Sequence, residues 1–294
     1  MCDTAAKAPQ KPPVTCWFAG LTTLDVIHRS AVRPGPNEKI TAVRQDVSAG
    51  GPAANAAVIA ATLGARALLI SAMGTGPVGS AARGDLEHHG VEIHDAAGGR
   101  EIPIAVSAVL VDDVTGDRSV VSPDATLTNG LDVTRVELDA LPRPDVVLLD
   151  GHHPDLARSV LAYALALEPR PLVVLDAGRW RPVFADLLGA ADVAARSADF
   201  RAPDDAATSQ AVVTTHGSAP VTWCDKDGRH GSTYVPSVEV RDTLGAGDAF
   251  HGALCVALAQ GAGLESAVQE AIRVASIRVQ HVGPRSWLEY APCA

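Results

Sequence analysis

The string Asp242-Thr-Leu-Gly-Ala-Gly-Asp-Ala-Phe250 sets two glycines and an acid at the start of the apolar run His251 to Gln260. Glycines just ahead of a helix let successive backbone N–H groups turn inward as an anion nest, and the helix dipole adds partial positive charge at the same point. A phosphate, or a phosphoryl group in transfer, fits such a nest. Asp248, in the first turn beside it, can take the proton of an attacking hydroxyl while the amides stabilise charge on the transferred group. A loose phosphoryl-transfer transition state asks little of the base, so this carboxylate needs no raised pKa. Without their neighbours, Gly245, Gly247 and Asp248 equally suit a tight turn and a favourable helix N-terminus.

The elements that must hold these groups follow from patterning. Short β-branched or apolar runs alternate with Ala/Leu-rich helical stretches, the pattern of a largely parallel sheet covered on both faces. The runs predict strands over 14–19, 67–71, 146–149, 172–175, 211–214 and 221–224, and helices over 53–63, 80–89, 154–167, 246–260 and 264–281. Polar residues follow two of these strands, Asp150-Gly-His-His153 and Asp176-Ala-Gly178, at the edge where open α/β sheets place ligands. Two stretches, 39–48 and 104–121, are β-branched without intervening helices, and the second holds the turn Asp112-Asp-Val-Thr-Gly-Asp117. They predict a small sheet inserted into the body.

The Asp242 to Phe250 string with its following helix resembles the second signature of the PfkB/ribokinase family of sugar kinases. Gly50-Gly-Pro-Ala-Ala-Asn55, leading into Ala56 to Leu63, resembles the family's Gly-Gly-x-x-x-Asn sugar-binding element. The two occur in the expected order, and the resemblance runs from Val14 to the C-terminus. It implies a ribokinase-like three-layer αβα sandwich with a mostly parallel sheet and a small inserted β-lid. On that expectation residues 1–13 are a disordered tail and 14–294 the kinase domain, with lid segments at about 33–49 and 101–122. The implied activity is transfer of the γ-phosphoryl group of Mg·ATP to a sugar hydroxyl. Asp248 would be the base, and Gly245, Ala246 and Gly247 the anion hole. ATP is then the co-substrate, with Mg²⁺ and, as a further family expectation, K⁺. The lid would close over the sugar, excluding water, and form a homodimer interface.

The resemblance also assigns the sugar side. Asp25, in Gly20-Leu-Thr-Thr-Leu-Asp-Val-Ile27, falls where the family places a carboxylate bridging two sugar hydroxyls, a task that suits an acceptor-only group. An ordinary turn or cap role is its alternative. Gly50 and Gly51 carry the sugar loop, and Asn55 can donate and accept toward a sugar or cap its own helix. Asn37, in Arg33-Pro-Gly-Pro-Asn-Glu-Lys39, lies at the expected lid hinge, as a sugar contact or a solvated loop residue. Within the family, the Leu24-Asp-Val-Ile27 run, its spacing to Gly50-Gly51 and the unbroken DTLGAGD look most like ketohexokinase-like members, implying a fructose-like ketohexose. Pro52 stands where those enzymes carry a sugar-contacting Asn. Arg118 lies on a predicted lid strand, where it is either a surface residue or the recogniser of a phosphorylated or sulfonated sugar.

The nucleotide side departs further from the family pattern. Ala194-Ala-Arg-Ser-Ala-Asp-Phe200 stands where many members carry Asn-x-x-Glu, with Ser197 and Phe200 at the motif's ends and Asp199 as a substitute acting through water. Thr214-Thr-His-Gly-Ser-Ala-Pro220 resembles a Thr-x-Gly-x-x-Gly element whose last Gly is replaced by Pro220, which stiffens the backbone and removes one N–H. The resulting nucleotide set is Ser197, Thr215, Gly217, Thr243 and His281. The short interval between Asp199 and Val212 predicts an open purine pocket.

Composition agrees with such an enzyme. A chain of 294 residues, 47% hydrophobic, can bury one large core. Its 24 basic and 34 acidic residues, a formal charge of −10, disfavour nucleic acid or an anionic membrane as partner. Cys2, Cys16, Cys224, Cys255 and Cys293 have no CxxC or zinc spacing, so buried free thiols in a reducing cytoplasm are expected. No apolar run reaches membrane-spanning length and the first residues lack a signal's apolar region. The pairs His88-His89 and His152-His153 point in different directions and predict no metal site. Besides the sugar kinase, two readings stay open: a nucleoside kinase, and a non-catalytic sugar or nucleotide sensor motivated by the altered nucleotide segments.

Overall fold

A computed structural model describes residues 12–128, 130 and 135–292. The first half runs β1 (Thr15–Gly20), β2 (Thr23–Ser30), β3 (Arg44–Gly50), α1 (Pro52–Thr62), β4 (Arg66–Ser71), α2 (Pro77–His88), β5 (Glu92–Asp95), β6 (Ala105–Asp112), β7 (Arg118–Val121) and the short α3 (Arg135–Asp139). The second half runs β8 (Val146–Leu149), α4 (Pro154–Leu165), β9 (Leu172–Ala177), the single turn α5 (Phe184–Leu187), β10 (Val193–Ser197), β11 (Ala211–His216), β12 (Ala219–Cys224), β13 (His230–Thr233), α6 (Ala246–Ala259) and α7 (Leu264–Val279).

Nine strands form one sheet in the order β13-β12-β11-β10-β9-β8-β1-β4-β5. From β5 to β11 every pairing is parallel, and β12 and β13 close one edge antiparallel. The alternation of side chains along β1 shows why its sequence is apolar throughout: Cys16 and Phe18 join the core under α1 and α6, while Trp17 and Ala19 join the core under α4. The two cores lie on opposite faces of the sheet, which makes the molecule the three-layer αβα sandwich that the resemblance implies. Full burial of each large side chain in them contributes about 1.5–3 kcal/mol. The crossing of α1 with α6 is close: a Cβ at Gly252 would fall 2.6 Å from the Ala56 carbonyl oxygen, so only glycine fits.

The second sheet has four strands in the order β3-β2-β6-β7. Its composition differs from expectation in one respect. The stretch from Thr23, which is not among the predicted strands, is the inner strand β2, paired antiparallel to β3 and parallel to β6. The reason is packing: Ile27 alternates inward to meet Val109 and Val111. The other strand of the 39–48 stretch begins only at Arg44. Asp112 makes the β6–β7 turn by accepting the Val114 and Thr115 N–H groups at 2.8 and 3.0 Å.

Helix positions agree with the sequence reading to within a few residues, but β5, β10 and β13 were not foreseen. The sequence of β10, Val-Ala-Ala-Arg-Ser, has little β preference; two parallel neighbours hold it in the sheet. Cys16 and Cys255 are buried free thiols as expected, whereas Cys224, on the antiparallel edge, is exposed. Residues 1–11 of the expected tail, Cys2 and Cys293 lie outside the described residues. Among the described residues no helix is long and apolar enough to cross a membrane.

Candidate active site

The carboxyl ends of the parallel strands carry the site. Where β1 ends, the Gly20 hydrogens face the Asp150 carboxylate that follows β8; a Cβ there would sit 2.1 Å from it. Asp150 accepts the N–H groups of Leu21 (2.9 Å), Ala53 (3.2 Å) and His152 (2.9 Å), and its other near neighbour is His152 Nδ1 at 3.1 Å. Burial would raise its pKa, but the His152 charge and these hydrogen bonds outweigh it and hold the carboxyl well below the usual range. This buried anion thus ties the β1 exit, the β8 exit and the first turn of α1 together.

The loop from β3 into α1 is shaped by two glycines with different tasks. Gly51, at φ 97, precedes Pro52 in the first turn of α1 and approaches the Leu21 carbonyl so closely that a Cβ would lie 2.3 Å from its oxygen. Gly50 leaves room for Asp25, whose carboxyl atoms would lie 2.1–2.5 Å from a Cβ at that position. Asp25 accepts the Thr23 hydroxyl at 2.6 Å, and burial raises its pKa against the hydrogen bonds of Thr23 and Ser107.

The opposite wall is the Asp242–Asp248 loop. Asp242 is buried, accepts the Leu244 and Gly283 N–H groups at 2.9 and 3.0 Å, and lies 3.5 Å from each of the buried guanidinium groups of Arg29 and Arg278. Anchored there, the chain turns at Gly245 (φ 75) into α6. Of the expected anion hole of Gly245, Ala246 and Gly247, the Ala246 N–H closes onto the Thr243 carbonyl at 3.3 Å; the Gly245 and Gly247 amides, and next to them that of Asp248, have no such backbone acceptor and are left for an anion.

Asp248 stands in the first turn of α6 and accepts the Asn55 amide N–H at 2.7 Å. Burial, and then the neighbouring Asp176 carboxylate, push its pKa up to about 6 against the Asn55 hydrogen bond, His251 and Arg118. Phosphoryl transfer does not require this rise; it comes from burial and from Asp176 at the end of β9. His251, buried on α6, lies 3.1 Å from Asp176, and this partner holds the imidazole above its ordinary pKa despite burial. An acid limb follows: activity that needs ionised Asp248 is expected to fall about tenfold per pH unit below about 6. Measuring kcat/KM from pH 5 to 8 checks it, and a rate flat down to pH 5 contradicts it.

Asp25, Gly51, Asn55, Arg118, Gly245, Gly247 and Asp248 line one open cleft of about 260 Å³. Arg118 Nη1 donates to the Thr243 carbonyl at 3.2 Å, with Thr243 Oγ1 at 3.3 Å. Thr243 in turn donates its hydroxyl to the Gly116 carbonyl at 3.1 Å, so this side chain faces the β6–β7 turn. Asn37 is not brought into the cleft; it occupies an exposed turn at φ 61, a backbone region that asparagine tolerates.

Ser197 ends β10, donating to the Gly178 carbonyl at 3.1 Å and accepting the Asp199 N–H at 3.0 Å. Thr215 lies on the adjacent β11 and Gly217, at φ 66, in the turn after it. His281 follows α7, its ring stacked on Tyr290 with centroids 4.3 Å apart. These residues do not line the cleft of Asp25 and Asp248. The sequence singles out Asp150 and Asp176 as polar residues at strand ends without giving either a role; the residues that sequence reasoning missed are His251, Asp85 and Arg285.

A sequence profile described as pfkB family carbohydrate kinase matches residues 16–195 and 184–290. The ribokinase of Bacillus subtilis (strain 168) is 26% identical over 284 residues, covering 90% of this chain and 92% of its own. The crystal structure of a protein from Agrobacterium tumefaciens, provisionally described as a ribokinase, superposes with a TM-score of 0.81 at 26% identity, covering 96% of this chain and 95% of that one. A ribokinase of Arabidopsis thaliana, complexed with ribose and ATP, has a TM-score of 0.73 at 20% identity, covering 96% of this chain and all (100%) of its own.

Proposed function

From a chain that belongs to the pfkB family of carbohydrate kinases, we propose phosphorylation of a sugar hydroxyl by Mg·ATP in the cleft between Asp25 and Asp248, with ribose as the first candidate acceptor. The observation that carries this reading is the convergence of an acceptor carboxylate, an amide and a base, Asp25, Asn55 and Asp248, beside the free amides of a helix N-terminus.

The sugar hydroxyls donate to Asp25, and the reacting hydroxyl donates to Asp248. As the oxygen attacks the γ-phosphorus, its proton passes to Asp248 and ADP leaves with the bridging oxygen. The Gly247 and Asp248 N–H groups, with the α6 dipole, stabilise the charge on the phosphoryl group in transit. Magnesium enters as part of Mg·ATP. Among the described residues no group of three or more His, Cys, Asp or Glu side chains is placed to hold a metal. Ser107, Val109, Val120 and Ser122 from the small sheet line the cleft, which supports its role as a lid that excludes water.

Ribose is placed ahead of the fructose-like ketohexose that the Leu24–Ile27 run implies, because similarity to a ribokinase extends over 90% of the chain. ADP release is to be measured with Mg·ATP and ribose, fructose, other pentoses and hexoses, phosphorylated and sulfonated sugars, and nucleosides. Turnover with one class names the acceptor; saturable sugar binding without turnover in the folded protein would instead establish the sensor reading.

The outward face of the small sheet supports a homodimer. Val47, Val106 and Val121 are 53%, 44% and 76% exposed there, an apolar surface that a second copy would cover. Val47→Glu is expected to convert the dimer to monomer in analytical ultracentrifugation; wild-type protein sedimenting as a monomer would refute the assignment.

A further inference from the structure

We propose that Arg285 is a positioning residue for the base, acting through the side-chain amide of Asn55. Arg285 follows α7 and is 230 residues from Asn55 in sequence, yet its Nη1 donates to Asn55 Oδ1 at 3.1 Å. The rest of the guanidinium is fixed: Nη2 donates to the Ala49 carbonyl at 2.9 Å and to Asp85 Oδ2 at 3.0 Å, and Nε to the same Asp85 oxygen at 3.3 Å. Asp85, on α2, also accepts the Ala49 N–H at 3.0 Å. The side chain of Arg285 is only 15% exposed.

The consequence follows from what each group can do. The two ends of an asparagine amide have nearly the same shape, so packing alone does not choose between them. An arginine has no acceptor, and can be satisfied only by Oδ1. With Oδ1 held by Arg285, Nδ2 must face Asp248, where it donates at 2.7 Å. A reversed amide would set oxygen against carboxylate, withdrawing the hydrogen bond that favours the ionised base. The guanidinium therefore selects the amide orientation that keeps Asp248 able to accept a proton.

Other charged groups face this pair from each packed element. Asp248 is met by Asp176 from β9, His251 from α6, Arg118 from β7 and Arg278 from α7. Arg285 is met by Asp85 from α2, Asp25 from β2 and Arg278 from α7. None of these donates to Asn55 Oδ1, which leaves the selection to Arg285.

The inference rests on Asp248 being the base, so its first readout is independent of turnover: titration of the Asp248 carboxyl by ¹³C NMR, assigned with Asp248→Asn. Arg285→Met is expected to raise its midpoint by about one pH unit, and Arg285→Lys, which keeps a donor and a charge, by much less. In an Asn55→Ala background, Arg285→Met is expected to add little, which separates action through the amide from direct charge. In assays the acid limb of kcat/KM moves with the titration while KM for ATP stays near wild type. If Arg285→Met does not fold, Asp85→Asn is expected to shift the midpoint in the same direction by less. An unmoved midpoint in the folded variant, or a full shift persisting in Asn55→Ala, overturns the inference. A shifted midpoint in a protein without kinase turnover would leave the positioning intact and sink the functional reading instead.

Discussion

Asp248→Asn is expected to lower kcat by about 10²–10⁴-fold, the usual contribution of a positioned general base. The replacement has the same shape, and its Oδ1 can still accept the Asn55 amide N–H now donated at 2.7 Å. Acceptor binding through Asp25 is untouched, so KM for both substrates should change little. Stability should move the other way. Burial and the Asp176 carboxylate push the Asp248 pKa up to about 6, above its unfolded value, which means folding disfavours the ionised form. At pH 7 and above a neutral amide removes that penalty, and the variant should melt no lower than wild type. Steady-state kinetics with a thermal melt checks both halves; unchanged kcat in a folded Asp248→Asn protein would refute the assignment of the base.

Gly50→Ala is expected to raise the acceptor KM by about ten- to a hundredfold while leaving KM for ATP near wild type. The new methyl group would fall 2.1–2.5 Å from the Asp25 carboxyl atoms, and the short Asp25 side chain cannot yield without leaving its Thr23 hydrogen bond. On the proposed role of Asp25, displacing it is expected to remove charged hydrogen bonds to the sugar, worth about 1.5–3 kcal/mol each. The Gly247 and Asp248 amides lie on a separate loop and keep their geometry. A substrate-specific loss distinguishes this from general destabilisation, which would lower activity without favouring one KM.

The contrast between Gly50 and Arg285 marks where sequence reading stops. Glycines before Pro52 and before Asp248 announce helix starts and close approaches, and the acid and amide types near them announce their chemistry. The main strands are legible because sheets buried on both faces need continuous apolar runs. Arg285 carried no such signal: its partners lie 200 residues away at Asp85 and 230 at Asn55, and only the fold joins them. The same holds for the pKa of Asp248, which depends on Asp176 from another strand. Local cues also misled. Asn37 sits near sugar-site residues in sequence, but its loop turns outward. The run from Thr23 to Ser30 carries a functional acid and no strand prediction, yet its inward Ile27 makes it an inner strand of the small sheet.

The claim that this cleft transfers a phosphoryl group to a sugar is tested most directly by ³¹P NMR of the wild-type protein with Mg·ATP and ribose or the best acceptor of the panel. A new phosphomonoester resonance is expected to grow in step with ADP and without inorganic phosphate. Intact ATP beside a saturably bound sugar, or ADP accompanied only by inorganic phosphate across the whole panel, would contradict it.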